Sequence, residues 1–390
     1  MLENLKEKFN SLNIFKAKSK SFLGIDIGGS AIKVVQLKKE KGMAVLETYG
    51  ELSLGPVGGT EVGRSTSLSD KQICTSLVTL MEESRVNIFR SGISIPVRSS
   101  LIFEMEVPNM PKEQLKKIVP IEARRYIPVP ISEVVLDWRV ISENNFEEDS
   151  GEEENEDERP AFKKTEDQKQ KSNKKIKIFV VAIHKNALDK YKNIAKCSQL
   201  SLDFLEIEIF STIRAVVDHN ISTVVLLDIG SSVSKLYIVE YGIVKDSHII
   251  NRGSQDITLA ISRTLGISIK EAEEKKRTIN LENLGSDNDK SIETVMATNL
   301  KFILSGVSGV IQEYQKKNNK NIKELIFTGG GSVIKGLPEF SSNILKINSK
   351  IADPFYKINN PAFLDDVLKE IGPEFAVAVG VALRGLEDKK

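Results

Sequence analysis

One short device occurs twice in this chain, once in each half. The first copy reads Gly24-Ile25-Asp26-Ile27-Gly28-Gly29-Ser30-Ala31-Ile32-Lys33. The second reads Leu226-Leu227-Asp228-Ile229-Gly230-Ser231-Ser232-Val233-Ser234-Lys235. Both keep the spacing Asp–x–Gly–[Gly/Ser]–Ser–x–x–Lys, with apolar extended runs on either side. Glycine accepts the backbone angles of a tight turn without a Cβ clash, so each copy reads as a strand–turn–strand hairpin. An internal repeat of this kind predicts two similar half-structures facing each other.

The hairpin tips carry a chemistry. Successive backbone N–H groups in a Gly-[Gly/Ser]-Ser turn point one way and form a nest for phosphate oxygens. The small side chains let a phosphate approach. Asp26 and Asp228 stand just before the turns and cannot bind phosphate themselves, because two anions repel. They suit Mg²⁺ held through waters, since magnesium dehydrates reluctantly. Two facing hairpins therefore grip a polyphosphate with a cation between them. A third turn, Gly329-Gly330-Gly331-Ser332, follows the strand-like run Glu324–Thr328. It suits a flat base and a ribose lying on bare backbone, and it is expected to open a helix.

A rival phosphate motif is present. Gly58-Gly59-Thr60-Glu61-Val62-Gly63-Arg64-Ser65 matches the P-loop spacing, with Arg64 in place of lysine. A guanidinium fork does not replace the compact ammonium that reaches the β/γ-phosphates. Pro56 precedes the motif, and the next helix begins only near Ser69. The stretch reads as a flexible loop.

The 390 residues suggest about two or three domains of ordinary globular composition, 40% hydrophobic and 28% charged. A formal net charge of +1 gives no field to draw in nucleic acid. Cys74 and Cys197 lie far apart in sequence, and with three scattered histidines a disulfide framework or zinc site is not expected. No apolar run approaches the roughly 20 residues that cross a bilayer, and the N-terminus lacks a signal-peptide core. The chain is expected in the cytoplasm. Residues 1–20 place Leu2, Leu5, Phe9 and Leu12 at helical spacing among lysines. That pattern fits an interfacial helix on anionic lipid, or a basic leader helix packed on the body.

Strands are expected at Phe22–Ile27, Ala31–Leu37, Val45–Leu54, Gly92–Val97, Leu101–Val107, Val134–Ile141, Ile176–Ile183, Thr223–Ile229, Ser234–Val239 and Glu324–Thr328. Helices are expected at Ser69–Ser84, with Ser69 as N-cap, and at Lys112–Tyr126, between Pro111 and Pro128. Others are expected at Ser254–Leu265, Lys270–Arg277, Ser291–Gln315 and Phe375–Leu386. Between Val134–Ile141 and Ile176–Ile183 the composition breaks. Glu147–Glu158 is nearly all acidic and Lys163–Lys175 mostly basic. So little apolar area cannot offset chain entropy, and 145–175 reads as a disordered loop.

The paired hairpins and the late Thr-Gly-Gly-Gly-Ser resemble the phosphate 1, phosphate 2 and adenosine motifs of the actin/Hsp70/sugar-kinase superfamily. The resemblance is closest to its FtsA-like branch and, within that, to the PilM family. Glu122-Ala123-x-x-Tyr126-Ile127-Pro128 resembles a PilM segment. So do Ile207-Glu208-x-x-Ser211-x-x-Arg214-Ala215, Ala272-Glu273-Glu274-Lys275-Lys276 and the C-terminal run Pro373–Gly385.

The resemblance implies an α/β fold of two actin-like, ribonuclease H-like lobes around an ATP cleft, with a small α+β domain inserted in the first. Residues 21–97 and 184–222 would form the first lobe, 98–183 the insert, and 223–390 the second lobe with a helical subdomain at about 270–323. It also implies roles. Asp26, Gly28, Gly29, Ser30 and Lys33 would face Asp228, Gly230, Ser231 and Ser232 across phosphates and Mg²⁺. Glu273 would bond the ribose and Lys276 lie beside the base. Gly329, Gly330, Gly331 and Ser332 would hold adenosine. Asp228 and Glu208 are the candidates to orient an attacking water.

There are departures from the family pattern. Gly29 stands where serine is commoner, Glu206 where aspartate is, and Lys275 where an apolar residue is. The implied partner is the cytoplasmic N-terminal peptide of a PilN-like inner-membrane protein. It would sit between the first lobe and the insert, bordered by Lys112–Tyr126 and Ile127–Ile131, at the inner face of the cytoplasmic membrane. Other pilus platform and motor proteins would follow. Self-association and peripheral membrane contact stay open, and no nucleic acid is expected. The alternatives are an FtsA-like division protein, disfavoured because the chain stops at Lys390 just after its last helix, and a small-molecule kinase, for which no substrate-binding aspartate is found. A secretion-system relative of the GspL kind would continue into a transmembrane helix.

Overall fold

The computed structural model describes residues 20–141, 175–218, 223–281 and 290–387. The expected leader and charged loop lie, but for their last residues, outside the described residues.

Two sheets repeat one topology. The first holds β1 (Ser21–Ile27), β2 (Ala31–Glu40), β3 (Met43–Ser53), β4 (Arg90–Ile95), β8 (Ser201–Ile207) and β14 (Ile358–Asn359), in the order β14-β3-β2-β1-β4-β8. The second holds β9 (Thr223–Ile229), β10 (Ser234–Glu240), β11 (Ile243–Ile250), β12 (Glu324–Thr328) and β13 (Asn348–Ile351), in the order β11-β10-β9-β12-β13. In each, the repeat's first strand pairs antiparallel with its hairpin partner and parallel with a later strand. The repeat is kept in register: Asp26 lies opposite Lys33, and Asp228 opposite Lys235. The central strands are apolar on both faces and nearly all buried, as parallel-type strands covered by helices on two sides must be.

Helices fill the layers. α1 (Asp70–Glu83) starts at a capping box made by Ser69 and Gln72, and turns Ile73, Leu77 and Leu80 inward at helical spacing. Beside it lies α3 (Lys185–Cys197), a helix not anticipated from the sequence. Their packing brings Cys74 and Cys197 to a Cα separation of 6.1 Å, and the two form a disulfide. The expectation of unpaired cysteines is thereby corrected: sequence distance concealed the adjacency of two helices.

The third sheet, in the order β5-β7-β6, is built from β5 (Ser100–Pro108), β6 (Val134–Ile141) and β7 (Lys175–His184). Successive side chains of β7 serve two cores. Ile178, Val180 and Ala182 pack with α2 (Lys112–Ala123) through Leu115 and Val119. Phe179 belongs to the core that the two lobes share, and Val181 packs against it. α2 stops three residues before the expected Tyr126. Pro111 is its cap rather than its first helical residue.

The second lobe packs α5 (Ser254–Leu265), α6 (Ile269–Thr278), α7 (Lys290–Asn318) and α8 (Leu337–Leu345) against its sheet. α7 is long and apolar enough to cross a membrane by length and composition, contrary to the sequence expectation. Its Met296, Leu300, Ile303, Val307 and Ile311 are instead buried among Val225, Leu227 and Phe327. α4 (Glu208–Val216) and α9 (Asp365–Leu386) cross between the lobes and join the core that both share. α9 begins ten residues before the expected Phe375 and runs through Pro373. The proline removes one internal hydrogen bond, which burial of the helix outweighs.

Candidate functional site

The β1–β2 and β9–β10 turns face each other across a cleft of about 320 Å³. Each turn closes in the same way. The Gly28 N–H donates to the Ala31 carbonyl at 2.9 Å, and the Gly230 N–H to that of Val233 at 3.0 Å. The turn carbonyls are held from behind. Leu54 and Thr66 donate to Ser30 and Gly29, and Ser254 and Gln255 to Gly230 and Ser231, at 2.8–3.0 Å. The amides of Gly29, Ser30, Ser231 and Ser232 find no acceptor among the described residues, and all four residues line the cleft. Two opposed nests of free donors are thereby formed.

The loop that matched the P-loop spacing lies at this cleft without being a P-loop. It follows a strand and a short 3-10 turn, and no helix opens at Ser65. Its Val62, Gly63 and Ser65 line the cavity, and the Ser65 N–H donates to Gln255 Oε1 of the second lobe at 3.1 Å. A Cβ placed on Gly29 would stand 2.6 Å from Ser65 Oγ and 3.8 Å from Ser231 Oγ. The Ser65 hydroxyl stands where a side chain at position 29 would go.

The charged residues are arranged in two tiers. Asp26 accepts a hydrogen bond from Ser94 Oγ at 2.7 Å. Burial lifts its carboxyl above the ordinary range, against Ser94 and the two lysines. Lys33 has only long ion pairs, 3.9 Å to Glu51 and 3.8 Å to Glu374. Burial alone would lower its pKa, but Glu51, Glu374 and the aspartates outweigh it and carry it upward. Lys235 is bound tightly: its Nζ donates to Glu208 Oε2 at 2.7 Å and to Asp228 Oδ2 at 3.1 Å. The other Glu208 oxygen accepts the Val97 N–H at 2.8 Å. Burial raises Glu208, with Lys235 opposing it.

On the second-lobe side Glu273 accepts from Lys276 at 2.6 Å, Thr258 at 2.7 Å and Arg277 at 3.0 Å. These donors outweigh burial and hold its carboxyl below the ordinary range. Lys276 is itself buried in the lobe, while Lys275, the departure from the family pattern, is exposed.

The third turn packs against the second hairpin. Gly329 has φ +83°, and a Cβ there would overlap Asp228 Oδ1, so both backbone and contact require glycine. Gly329 and Gly330 line the cleft. Gly331 and Ser332 are buried beneath it, where Ser332 Oγ donates to the Gly329 carbonyl at 2.6 Å. They support the turn rather than offer a surface to a base. The expected helix opening is only the 3-10 turn Gly330–Val333, and α8 begins later, at Leu337.

Every other sequence-designated residue reaches the cleft: Asp26, Gly28, Gly29, Ser30, Lys33, Glu208, Asp228, Gly230, Ser231, Ser232, Glu273 and Lys276. Sequence reasoning passed over Lys235, Glu51, Ser65, Arg277 and Glu374. The repeat itself signalled Lys235. Ser65 closes the stretch with P-loop spacing and Glu374 lies in the family-like run Pro373–Gly385, but neither was singled out for the cleft; Glu51 and Arg277 lie outside the quoted motifs.

Magnesium does not find a ready shell here. The facing oxygens of Asp228 and Glu208 are already bridged by an ammonium, and one oxygen of Asp26 is held by Ser94. Among the described residues no group of three or more His, Cys, Asp or Glu is arranged to hold a metal.

A second cavity, of about 510 Å³, lies where β6 and β7 of the third sheet meet α4 and the end of α9. Phe179, Val181, Phe210 and Ile213 give it an apolar floor, with Arg139, Arg214, Glu206 and Arg384 around them. Neither Lys112–Tyr126 nor Ile127–Ile131 lines it. α2 packs on the opposite face of the sheet.

Two sheets of one topology, joined by crossing helices around a cleft of glycine hairpins, define the actin-like class of α/β fold. Solved structures of that class match along nearly the whole chain. EutJ, an ethanolamine utilization protein from Carboxydothermus hydrogenoformans, is 14% identical with a TM-score of 0.52, covering 98% of each chain. MreB 5 of Spiroplasma citri bound to AMPPNP is 12% identical with a TM-score of 0.52, covering 94% of this chain and 96% of its own. The match to a PilM–PilN type IV pilus biogenesis complex is stronger, with a TM-score of 0.73 at 22% identity over 94% of this chain and 98% of that one. The family model for the type IV pilus assembly protein PilM matches residues 24–154 and 161–386, and the chain belongs to that family.

Proposed function

We propose that this chain is an ATP-binding scaffold of type IV pilus assembly, working in the cytoplasm at the inner face of the cytoplasmic membrane. ATP lies between the two hairpins, with its base toward Glu273, Lys276 and Gly329–Gly330. It sets the conformation of the lobes. The scaffold holds the cytoplasmic N-terminal peptide of a PilN-like protein and connects it to other platform and motor proteins.

The observation that carries the nucleotide reading is the pair of opposed turns, whose four unpartnered amides line one cavity. The solved PilM–PilN complex supports the partner. The groove beside β6 and β7 is the place offered for the peptide, because an apolar floor ringed by charge suits an extended, amphipathic segment. Turnover is slow in this reading. Glu208 carries a Lys235 ammonium on one oxygen and the Val97 amide on the other, and both bonds stabilise its charged form and weaken it as a base toward water.

Calorimetric titration of ATP into the wild type and into Ser30→Glu/Ser231→Glu, which places a carboxylate in each nest, tests the cleft. Saturable binding that the double change abolishes supports it. Absence of binding to nucleotide-free wild type overturns it. Capture of the PilN-like peptide by the wild-type chain tests the partner separately.

A further inference from the structure

The two copies of the repeat place a lysine at the same register, opposite the same aspartate, yet the lysines are held differently. Lys33 has no hydrogen bond to a carboxylate, and its nearest acidic oxygens are 3.8 and 3.9 Å away. Lys235 makes two short bonds, to Glu208 at 2.7 Å and Asp228 at 3.1 Å. The acids around it are fixed in turn. Glu208 is held by the Val97 amide, and Asp228 lies hard against Gly329. Lys235 therefore sits between the two carboxylates nearest the second phosphate nest, in a site whose shape the backbone sets.

A divalent ion would need those same oxygens, directly or through its waters, at a spacing that the ammonium already occupies. It would also stand within a few ångströms of a buried positive charge. An ammonium between two carboxylates already does part of what such an ion would do, since it neutralises the acids that would otherwise repel a polyphosphate.

We infer that Lys235 is the resident cation of this cleft, and that the cleft takes a nucleoside polyphosphate free of magnesium about as well as its magnesium complex. Lys33, loosely held on the opposite hairpin, is the charge free to turn to the phosphates. This inference rests on the nucleotide reading of the cleft. It separates this chain from a site whose aspartates exist to hold a metal.

The test is titration of ATP into the full chain in magnesium buffer and in excess EDTA, for the wild type and for Lys235→Met. Wild-type affinity should change less than about threefold between buffers. Lys235→Met should lose about tenfold or more in EDTA and recover part of it in magnesium, because the freed carboxylates then accept the ion. A wild-type loss of tenfold or more in EDTA overturns the inference and leaves the nucleotide reading standing. So does a Lys235→Met chain that binds like the wild type in both buffers. No saturable wild-type binding in either buffer overturns the nucleotide reading, and this inference with it. The wild-type comparison decides the matter even where the variant folds poorly.

Discussion

Replacing Glu206 with glutamine should destabilise this protein by an amount that depends on pH in a defined direction. Glu206 is buried at the end of β8. It accepts Ser211 Oγ at 2.6 Å, Arg214 Nη1 and Nη2 at 2.7 and 2.9 Å, and Arg384 Nη1 at 2.7 Å. One side chain so ties β8 to α4 and to the end of α9. Glutamine keeps the shape but turns an N–H₂ toward a guanidinium. Breaking a buried ion pair by changing one partner costs about 3–5 kcal/mol. Here the arginine side chains are 24% and 38% exposed, so the stranded guanidinia regain water and the loss falls to about 2–3 kcal/mol. Against burial, which would raise it, Arg214, then Ser211 and Arg384, hold the carboxyl below the ordinary glutamate value of 4.5. A carboxylate depressed on folding stabilises fully above its unfolded pKa and loses that contribution as pH falls through the folded one. Urea denaturation of wild type and Glu206→Gln should show the full difference at neutral pH and a narrowing one below 4.5. A neutral-pH difference under about 0.5 kcal/mol, the range of an ordinary surface change, would refute the reasoning. So would a difference that stays constant into acid.

Three further outcomes follow from other parts of the molecule. Gly29→Ser, which restores the commoner family residue, should change ATP binding by less than about threefold, because its Cβ meets only the rotatable Ser65 Oγ at 2.6 Å while Ser65 Cβ stays 3.7 Å away and the loop keeps its bond to Gln255; calorimetry that finds a tenfold loss would show that the loop moves. Reduction of the disulfide between Cys74 and Cys197, which are 123 residues apart, should lower stability by up to about 5 kcal/mol; the denaturation midpoint should fall with dithiothreitol in the wild type and stay fixed in Cys74→Ser. Phe210→Asp, in the floor of the larger groove, should lower PilN-like peptide binding by about tenfold or more, measured by fluorescence anisotropy, while Ile121→Asp on the exposed side of α2 should leave it unchanged; the reverse pattern would return the peptide to the opposite face of the insert.

Much of the fold was legible because its strands announce themselves. Thr223–Ile229 and Ser21–Ile27 are runs of β-branched and large apolar residues ended by glycine. A buried strand with a turn at its tip is almost the only way to satisfy such a run. The repeat then supplied the global arrangement that periodicity alone withholds. What stayed hidden depended on tertiary neighbours. Lys185–Cys197 is a helix in which only Tyr191, Ile194 and Ala195 are buried, and its weak apolar stripe does not stand out from a charged sequence. The disulfide was hidden for the same reason, since it depends on where that helix lies. The strands β5, β6 and β7 were foreseen, but not the order in which they pair or which face of their sheet would meet the first lobe. Alternation along β7 is apolar on both sides, so no pattern in it chooses.

The cleft shows the same limit in chemical form. The repeat identified an aspartate, a glycine turn and a lysine in each half. By symmetry it suggested that both aspartates serve one ion. Symmetry of sequence does not carry over to the surroundings, however. Asp26 has Ser94 beside it, and its lysine leans toward Glu51 and Glu374 on other elements. Asp228 has Glu208, delivered by the helix that follows β8, and a second carboxylate at that spot draws the lysine in. One added acid at that spot is enough to turn a loosely paired ammonium into the partner of a carboxylate pair. The first hairpin thus keeps a loosely paired cation and the second a tightly paired one. That difference lies in the position of Glu208, which no reading of the two motifs alone contains.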